Sequence, residues 1–440
     1  MQIEGWLDRA AARAPGRIAV ETPGCNWTYA ELSALARLGA QHLAGLGVGP
    51  GDRVAIALAP GAGFVQALHS CLLAGAVAVP VDLRLAPGEQ RRIADGASVL
   101  IEEPLPSTGA SSWPAVRHEL RAPALIVHTS GTTAAPRPVT LTYGNLLWSA
   151  LGSGVALGVE ERDRWLCALP LSHVGGLSIL LRSAIYATSA VVHERFETDR
   201  VLAALADGGV TLVSLVATTL ARLLDAGLER PPALRCALTG GGPVPAALVE
   251  RAHAAGVPVS LTYGLTETCS QVTTTPLAEL GAAPASAGPP LFCTRVELAE
   301  DGEILVSGPT VSPSAQLKDG RLATGDLGRL DDQGRLWVTG RKADTIISGG
   351  ENVAPAEVEA VLEAHPAVLE AAVMGRPDEQ WGERVSALVV TRPGAQIEER
   401  ELLEHCRRSL APYKVPRQIM QSERPLPRTA SGKLLRRELG

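Results

Sequence analysis

The chain lacks several features that would place it in familiar classes. It has no CxxC pair, and its seven cysteines are scattered and odd in number. That pattern suits neither a disulfide framework nor a zinc site and points to a reduced, cytoplasmic protein. No uncharged apolar run is long enough to cross a bilayer, so no membrane span is expected. The opening MQIEGWLDRAAARAPGR mixes acids with arginines instead of placing a basic start before an apolar core, so no signal peptide is expected. Positive charge is not in excess. A net charge of −6 argues against a nucleic-acid binder that relies on phosphate attraction, but not against a local basic pocket for an anionic ligand. No GxxxxGK[ST] occurs, which excludes the Walker loop. Lysine is sparse beside alanine and arginine, a bias of genome composition more than of function.

What is present is 440 residues, 46% hydrophobic and 20% charged. That is ordinary for a globular protein and too long for one compact core, so two or more domains are expected. Periodicity predicts helices over residues 6–14 and 28–46. A strand over 54–58, a helix over 62–74 and a strand over 77–81 then form a βαβ unit, the builder of parallel sheets. Residues 105–123, rich in Pro, Ser and Gly, read as a surface loop. Further strands are read at 125–128, 165–170, 210–216, 234–238, 259–261 and 303–307, with a helix over 218–224. The final hundred residues read as a small α+β unit, with strands at 368–374 and 385–390 and a helix over 400–410.

Several short runs carry chemistry. Thr129-Ser130-Gly131-Thr132-Thr133 leaves a buried-type strand, where hydroxyls and backbone N–H groups can cradle phosphate oxygens; a polar turn is the plainer alternative. His173 follows Leu-Pro-Leu and precedes Gly175-Gly176. Arg182 lies in an apolar helical run, where a cation needs an anionic partner; it is either a snorkelling or salt-bridged arginine, or a fork for a substrate carboxylate. Gly240-Gly241-Gly242 after a strand lets a flat ring lie on backbone, or is merely a tight turn. In Tyr263-Gly264-Leu265-Thr266-Glu267, the ring offers a face for adenine, Thr266 a hydroxyl for a phosphate, and Glu267 a hard oxygen for Mg²⁺; a helix start is the alternative. Thr324-Gly325-Asp326 offers a carboxylate to ribose hydroxyls, or forms an Asx turn. Residues 340–359, GRKADTIISGGENVAPAEVE, put Arg341, Lys342 and Asp344 beside the apolar pair Ile346 and Ile347. Gly349-Gly350 follows, then a helix begun by Pro355, with Glu357 and Glu359 at its positive end. This reads as a mobile boundary beside a ligand, or as an ordinary connection. Lys433, in PRTASGK, sits on a polar loop able to reach a cleft, or is simply solvated among arginines.

These motifs occur in the order, and over nearly the whole length, that resembles the acyl-adenylate-forming superfamily of acyl-CoA synthetases, luciferases and peptide-synthetase adenylation domains. The resemblance implies an α/β fold: a large N-terminal domain, residues 1–340, with mostly parallel sheets flanked by helices, and a small mobile C-terminal α+β domain, residues 344–440. A hinge at 341–343 would pivot at Ala343. It implies ATP, Mg²⁺ and CoA as reactants and cofactor. Thr129 to Thr133 and Arg137 would bind phosphates, and Gly241, Gly242, Tyr263, Asp326 and Arg341 the rest of the nucleotide. Glu267 would hold the metal, Lys433 and Thr266 would serve adenylate formation, and Gly349-Gly350 would line the thioester site. His173, Gly264 and Ser270 would face the acyl group. The run through Ser270 and Gln271 and the LSILLRS segment around Arg182 resemble, within that superfamily, the 2-succinylbenzoate–CoA ligases of menaquinone biosynthesis. That implies an acid with a second carboxylate for Arg182. One departure stands out: the superfamily continues its phosphate loop Gly-x-Pro-Lys-Gly, whereas this chain has Ala134-Ala135-Pro136-Arg137-Pro138. The alternatives are another aryl- or acyl-CoA ligase, a carrier-protein loader, or a non-catalytic nucleotide-binding homologue. Monomer and homo-oligomer both stay open.

Overall fold

The computed structural model describes the chain apart from residues 110, 130–136, 284, 379, 429–433 and 440 and the side chain of Arg437. The helix Tyr29–Gly45 shows why local sequence becomes structure here. Thr28 accepts from the Glu31 N–H while the Glu31 carboxylate accepts from the Thr28 N–H, a capping box that satisfies two donors at the helix start. Leu32, Ala36, Ala40 and Leu43 then recur at helical spacing and are buried. The helix Ala62–Ala74 is buried from Phe64 onward on every side, because it lies inside the large core.

Two sheets carry most of the large domain. One has eight strands, and its inner six run parallel in the order Val259–Tyr263, Cys236–Thr239, Leu212–Leu215, Arg164–Cys167, Ser189–Val192, Ile18–Glu21. Antiparallel edge strands, Thr273–Thr274 and Asn26–Thr28, close its two sides. The other has five: Val99–Ile101, Arg53–Ile56, Val77–Pro80 and Pro123–Thr129 are parallel, and Arg137–Thr142 is an antiparallel edge. Pro138, part of the run that departs from the superfamily pattern, pairs with His128 on that edge strand, where a missing N–H is tolerated. A third sheet, Arg295–Leu298, Glu303–Ser307, Leu322–Leu330 and Leu336–Arg341, is wholly antiparallel. The sequence reading had found only its second strand as a β segment.

At Arg341 the third sheet ends, and at Ile346 the sheet of the small domain begins. Glu351–Val353, Ile346–Ser348, Gly382–Thr391 and Val368–Asp378 pair antiparallel, and Gln418–Ser422 adds in parallel. The helices Pro355–Glu363 and Glu399–Ser409 contribute Val358, Leu362, Leu402 and Cys406 to a core separate from those of the large domain.

Three local expectations change. Within 105–123, Arg117–Glu119 forms a strand paired with Gln2–Glu4. Gly349-Gly350 is the two-residue turn of a β-hairpin, not a strand-to-helix connection, and Ile347 points out at 56% exposure while Ile346 points in. Glu359 is not a dipole-facing acid at the helix start; it is buried and ion-paired with Arg436. All seven cysteines are free, and among the described residues no helix is long and apolar enough to cross a membrane.

Candidate active site

In parallel sheets, ligands gather beyond the carboxyl ends of the strands, where loops carry polar groups away from a rigid frame. The runs singled out in the sequence leave such ends: Gly240 after Cys236–Thr239, Gly264 after Val259–Tyr263, and Ser130 after Pro123–Thr129. Residues Ser130, Gly131, Thr132 and Thr133, with Ala134, Ala135 and Pro136, lie outside the described residues, as does Lys433. The feet of the expected phosphate loop are described. Thr129 pairs with Arg137 across the two strands, and Arg137 is exposed with no ion pair among the described residues.

Tyr263, Asp326 and Arg341 come together although 78 residues separate the first from the last. Asp326 and Arg341 are cross-strand partners in the antiparallel sheet. The Tyr263 hydroxyl donates to Asp326 Oδ2 at 2.9 Å, and Arg341 Nε lies 2.8 Å from Asp326 Oδ1. Burial, with the Asp326 charge behind it, drives the Tyr263 phenol far above its usual range, so the hydroxyl stays a donor. Each carboxylate oxygen keeps a second lone pair for an incoming hydroxyl. A Cβ added to Gly242 would meet no atom within 4 Å, whereas one on Gly240 would sit 2.6 Å from the Thr262 carbonyl oxygen, so the glycine run opens only toward its end. Thr266 and Glu267 form a 3₁₀ turn just after the strand. The Glu267 carboxylate is half-buried and has no partner among the described residues, where no three acidic, His or Cys side chains cluster for a metal. A single free carboxylate suits Mg²⁺, which takes one or two protein ligands and completes its shell with phosphate oxygens and water.

The residues expected to face the acyl group divide into two groups. Gly264 packs so tightly that a Cβ there would lie 1.5 Å from the Ser270 carbonyl oxygen. Cys269 and Ser270 both take positive φ, 55° and 94°, a conformation that costs about 1–3 kcal/mol per non-glycine residue and persists only where the surroundings enforce it. Behind this bend, Ser149 donates to the Cys269 carbonyl at 2.6 Å and accepts from Arg182 Nη2 at 3.1 Å. Arg182 is 3% exposed, lies over the Trp165 ring at 5.7 Å, leaves Nε unbonded, and has no carboxylate partner among the described residues. Burial pushes its guanidinium below the usual arginine range, against Tyr186 and Cys269.

His173 stands at the N-cap of the helix Val174–Tyr186, where Gly176 lets the first turn approach the Pro170 carbonyl. It meets a pair that the sequence reading missed. Asp82 Oδ2 lies 3.9 Å from His173 Nε2 and accepts from Ser172 Oγ at 3.0 Å, and Arg84 Nη2 is 3.5 Å from the same ring nitrogen. Burial works against the Asp82 charge, but Arg84 and Ser172 outweigh it and bring its pKa down to about 2. The signal was available: Asp82 and Arg84 directly follow the strand Val77–Pro80 at its carboxyl end.

In the small domain, Gly349 and Gly350 take φ of 61° and 86°, as a two-residue hairpin turn requires. A Cβ on Gly349 would sit 2.6 Å from Trp381 Cε3, and the Gly349 N–H donates to the Trp381 carbonyl at 2.8 Å. Arg417 lies 4.9 Å over the indole. This half-exposed aromatic face, crossed by a cation, was also missed, since 32 residues separate Trp381 from Gly349. At the joint, Ala343 is exposed. Lys342 is held by Asp301 at 2.6 Å and Glu303 at 2.9 Å, hydrogen bonds that raise its pKa to about 12.

A carboxylate that joins the Tyr263 hydroxyl to Arg341, a second carboxylate without a partner among the described residues and a separate buried cation suit an adenylate-forming class of enzyme, and comparison with known families agrees. The chain matches the AMP-binding enzyme family over residues 7–109 and 90–314, and the AMP-binding enzyme C-terminal domain over 357–433. It belongs to that family. Within it, the chain is similar to the 2-succinylbenzoate–CoA ligase of Bacillus subtilis (strain 168), 39% identical over 478 residues that cover 99% of this chain and 97% of the relative. Solved structures of the o-succinylbenzoate CoA synthetase of Bacillus subtilis agree with it. The complex with the acyl-adenylate intermediate matches at TM-score 0.92, with 38% identity, covering 100% of this chain and 98% of that one. The complex with ATP and magnesium ion matches at 0.90, with 38% identity, covering both chains fully. A double mutant bound with a product analogue matches at only 0.74, with the same 38% identity and 100% and 98% coverage. Identity and coverage are equal to those of the first comparison, so the fall reports arrangement rather than ancestry.

Proposed function

We propose that the chain is an ATP-dependent, AMP-forming acid–thiol ligase that converts 2-succinylbenzoate, ATP and CoA into 2-succinylbenzoyl-CoA, AMP and pyrophosphate, a step of menaquinone biosynthesis, in the cytoplasm. The observation that carries this reading is the hydrogen-bonded chain of Tyr263, Asp326 and Arg341, from three motifs distant in sequence. Arg182 supports the choice of acid. A buried cation with an unbonded Nε and no protein carboxylate is suited to the carboxylate of the substrate that is not activated.

The chemistry has two stages. A carboxylate oxygen of the acid attacks the α-phosphorus of ATP, and the bond from that phosphorus to the pyrophosphate oxygen breaks. Both reactants are anions, so the barrier is electrostatic and positional. Thr129 to Thr133, Arg137 and Lys433 would offset the repulsion, and Thr266 would donate to the α-phosphate. Asp326 and Arg341 would hold the ribose, with adenine between Tyr263 and Gly241-Gly242. Glu267 would hold Mg²⁺, which neutralises phosphate charge when bound. Gly264, Ser270 and His173 would shape the acyl pocket, with Asp82 and Arg84 fixing the imidazole. In the second stage the CoA thiolate attacks the acyl carbon, and AMP leaves.

Residues 1–340 and 344–440 would act as two bodies that turn about Ala343. Lys342, tied to Asp301 and Glu303, ends the fixed side. Rotation would withdraw Lys433 and bring Gly349-Gly350 to the thiol, with Trp381 and Arg417 as a face for the nucleotide end of CoA. The higher TM-score against the adenylate-bound relative supports the first-stage pose for the arrangement seen here.

The test is AMP release by the purified chain with ATP, Mg²⁺, 2-succinylbenzoate and CoA. Release that requires both the acid and CoA is expected, and no nucleotide consumption with this acid would reject the reading. Lys433→Ala should abolish ATP–pyrophosphate exchange yet spare thioester formation from supplied acyl-adenylate. Equal loss of both half-reactions would reject the two-pose scheme.

A further inference from the structure

Two arginines bracket the segment that carries Lys433, and both are tied down. The feet of that segment are joined to each other: Arg428 and Leu434 form an antiparallel bridge, and the Leu435 N–H donates to the Pro427 carbonyl at 2.9 Å. Arg428 Nη2 then reaches Glu370 Oε2 at 2.8 Å, on the strand Val368–Asp378. On the other foot, Arg436 Nη2 meets both oxygens of Glu359 at 2.5 and 2.7 Å, on the helix Pro355–Glu363. Glu359 is 9% exposed and also accepts from the Val373 N–H at 2.8 Å, so it links helix, strand and loop foot. The same guanidinium extends Nη1 to Asp344 Oδ2 at 3.3 Å.

Asp344 gives this contact its meaning. It is the residue after Ala343, and the residue before Ala343, Lys342, is held from the opposite side by Asp301 and Glu303. Ala343 therefore lies between a residue anchored to the antiparallel sheet and one anchored to Arg436. The helix bearing Glu359 follows the Gly349-Gly350 hairpin after a single residue, Ala354. One planar fork thus fastens the foot of the lysine segment, the frame behind the glycine hairpin, and the small-domain end of the joint.

We propose that Arg436 is a positioning residue for adenylate formation, locking the foot at residues 434–436 to Glu359 and to Asp344 beside the pivot and so acting on the stage assigned to Lys433. The inference rests on the roles given above to Lys433 and Ala343. A misplacement of about 1 Å costs on the order of 100-fold in rate, so a slack foot acts on the stage that uses the lysine.

The experiment measures both half-reactions in the full-length chain: ATP–pyrophosphate exchange with 2-succinylbenzoate, and CoA thioester formation from supplied acyl-adenylate. Arg436→Met is expected to lower kcat for exchange about 10- to 100-fold while KM for ATP and thioester formation stay within about threefold. Arg436→Lys should recover only part of the loss, since an ammonium cannot span Glu359 and Asp344 as a fork does. Asp344→Asn, which leaves the Glu359 pair intact, should lower exchange by about threefold to tenfold, and it keeps the test valid if Arg436→Met fails to fold. Equal loss in both half-reactions, or full recovery by Arg436→Lys, would overturn the proposal in favour of a purely structural pair. Normal exchange in Arg436→Met beside a dead Lys433→Ala would overturn it alone. Normal exchange in Lys433→Ala would overturn the role of the lysine, and this inference with it.

Discussion

Arg182 and Arg436 are both taken largely out of water, and the chain treats them in opposite ways. Arg436 receives both oxygens of Glu359 and one of Asp344. Arg182, more deeply buried, receives one serine hydroxyl and the face of an indole, and its Nε is left unbonded. Desolvating a guanidinium costs several kcal/mol unless an anion answers it. Where the protein supplies the anion, the pair fixes geometry. Where it withholds one, the cost stands until a ligand brings the charge. The first arrangement belongs to the small C-terminal domain, which under the proposed scheme has to keep its shape while it turns. The second belongs to the large domain, where the proposed acyl pocket has to discriminate.

Stability measurements should separate the two. Arg436→Met strands Glu359 as a buried, unpaired acid. It should cost about 2–3 kcal/mol in urea unfolding, below the full cost for a buried pair because the arginine side chain is 25% exposed. Loss of less than a few tenths would mean that the fork holds nothing. The next effect concerns Glu363, one turn along the helix from Glu359. Burial pushes its carboxyl up to about 7, the Ala371 N–H and Arg428 oppose this, and Glu359 and Glu370 add to it. The folded chain keeps this proton up to about pH 7, while the unfolded chain releases it near 4.5. Its stabilisation is therefore full below about 4.5 and is lost as pH rises through 7, by on the order of 3 kcal/mol. Glu363→Gln should remove that decline between pH 5 and 8, and an unchanged slope in thermal melts would contradict the assignment. Arg182→Leu should go the other way and stabilise the ligand-free chain by about 1–2 kcal/mol, since an unanswered cation gives way to apolar packing. Destabilisation would show that Arg182 is satisfied after all. Smallest is Lys342→Ala: the lysine is exposed, so the unfolding midpoint should not move even at low salt.

Much of the candidate site was legible because the chemistry it suggests is local. Thr-Gly-Asp, Tyr-Gly-Leu-Thr-Glu and Gly-Gly each carry their meaning within a few residues, and their order along the chain exposed the family and its two-part layout. What could not be read was pairing across distance. Asp82 and Arg84 reach His173 only through strand order, and Trp381 meets Gly349 only because two antiparallel strands bring it back. Glu359 looked like a dipole-facing acid because helix position alone does not say which face a neighbouring strand will cover. The antiparallel sheet ending at Arg341 was largely missed, since its short strands are separated by ordinary turns and carry no long apolar run. The helix Tyr143–Leu157, capped by Thr142 and Asn145, went unread because serines and glycines interrupt its apolar pattern.

The comparison of the two arginines reduces to one assay. AMP release should be measured with 2-succinylbenzoate and with an analogue that keeps the activated carboxylate and lacks the other, in the parent chain and in Arg182→Leu. The parent should favour the dicarboxylate by about 100-fold or more in kcat/KM, and the variant should lose that preference through KM for the dicarboxylate while its turnover of the analogue barely changes. A variant that weakens both acids alike would show that Arg182 only holds the fold, and that the site selects its acid by some other means.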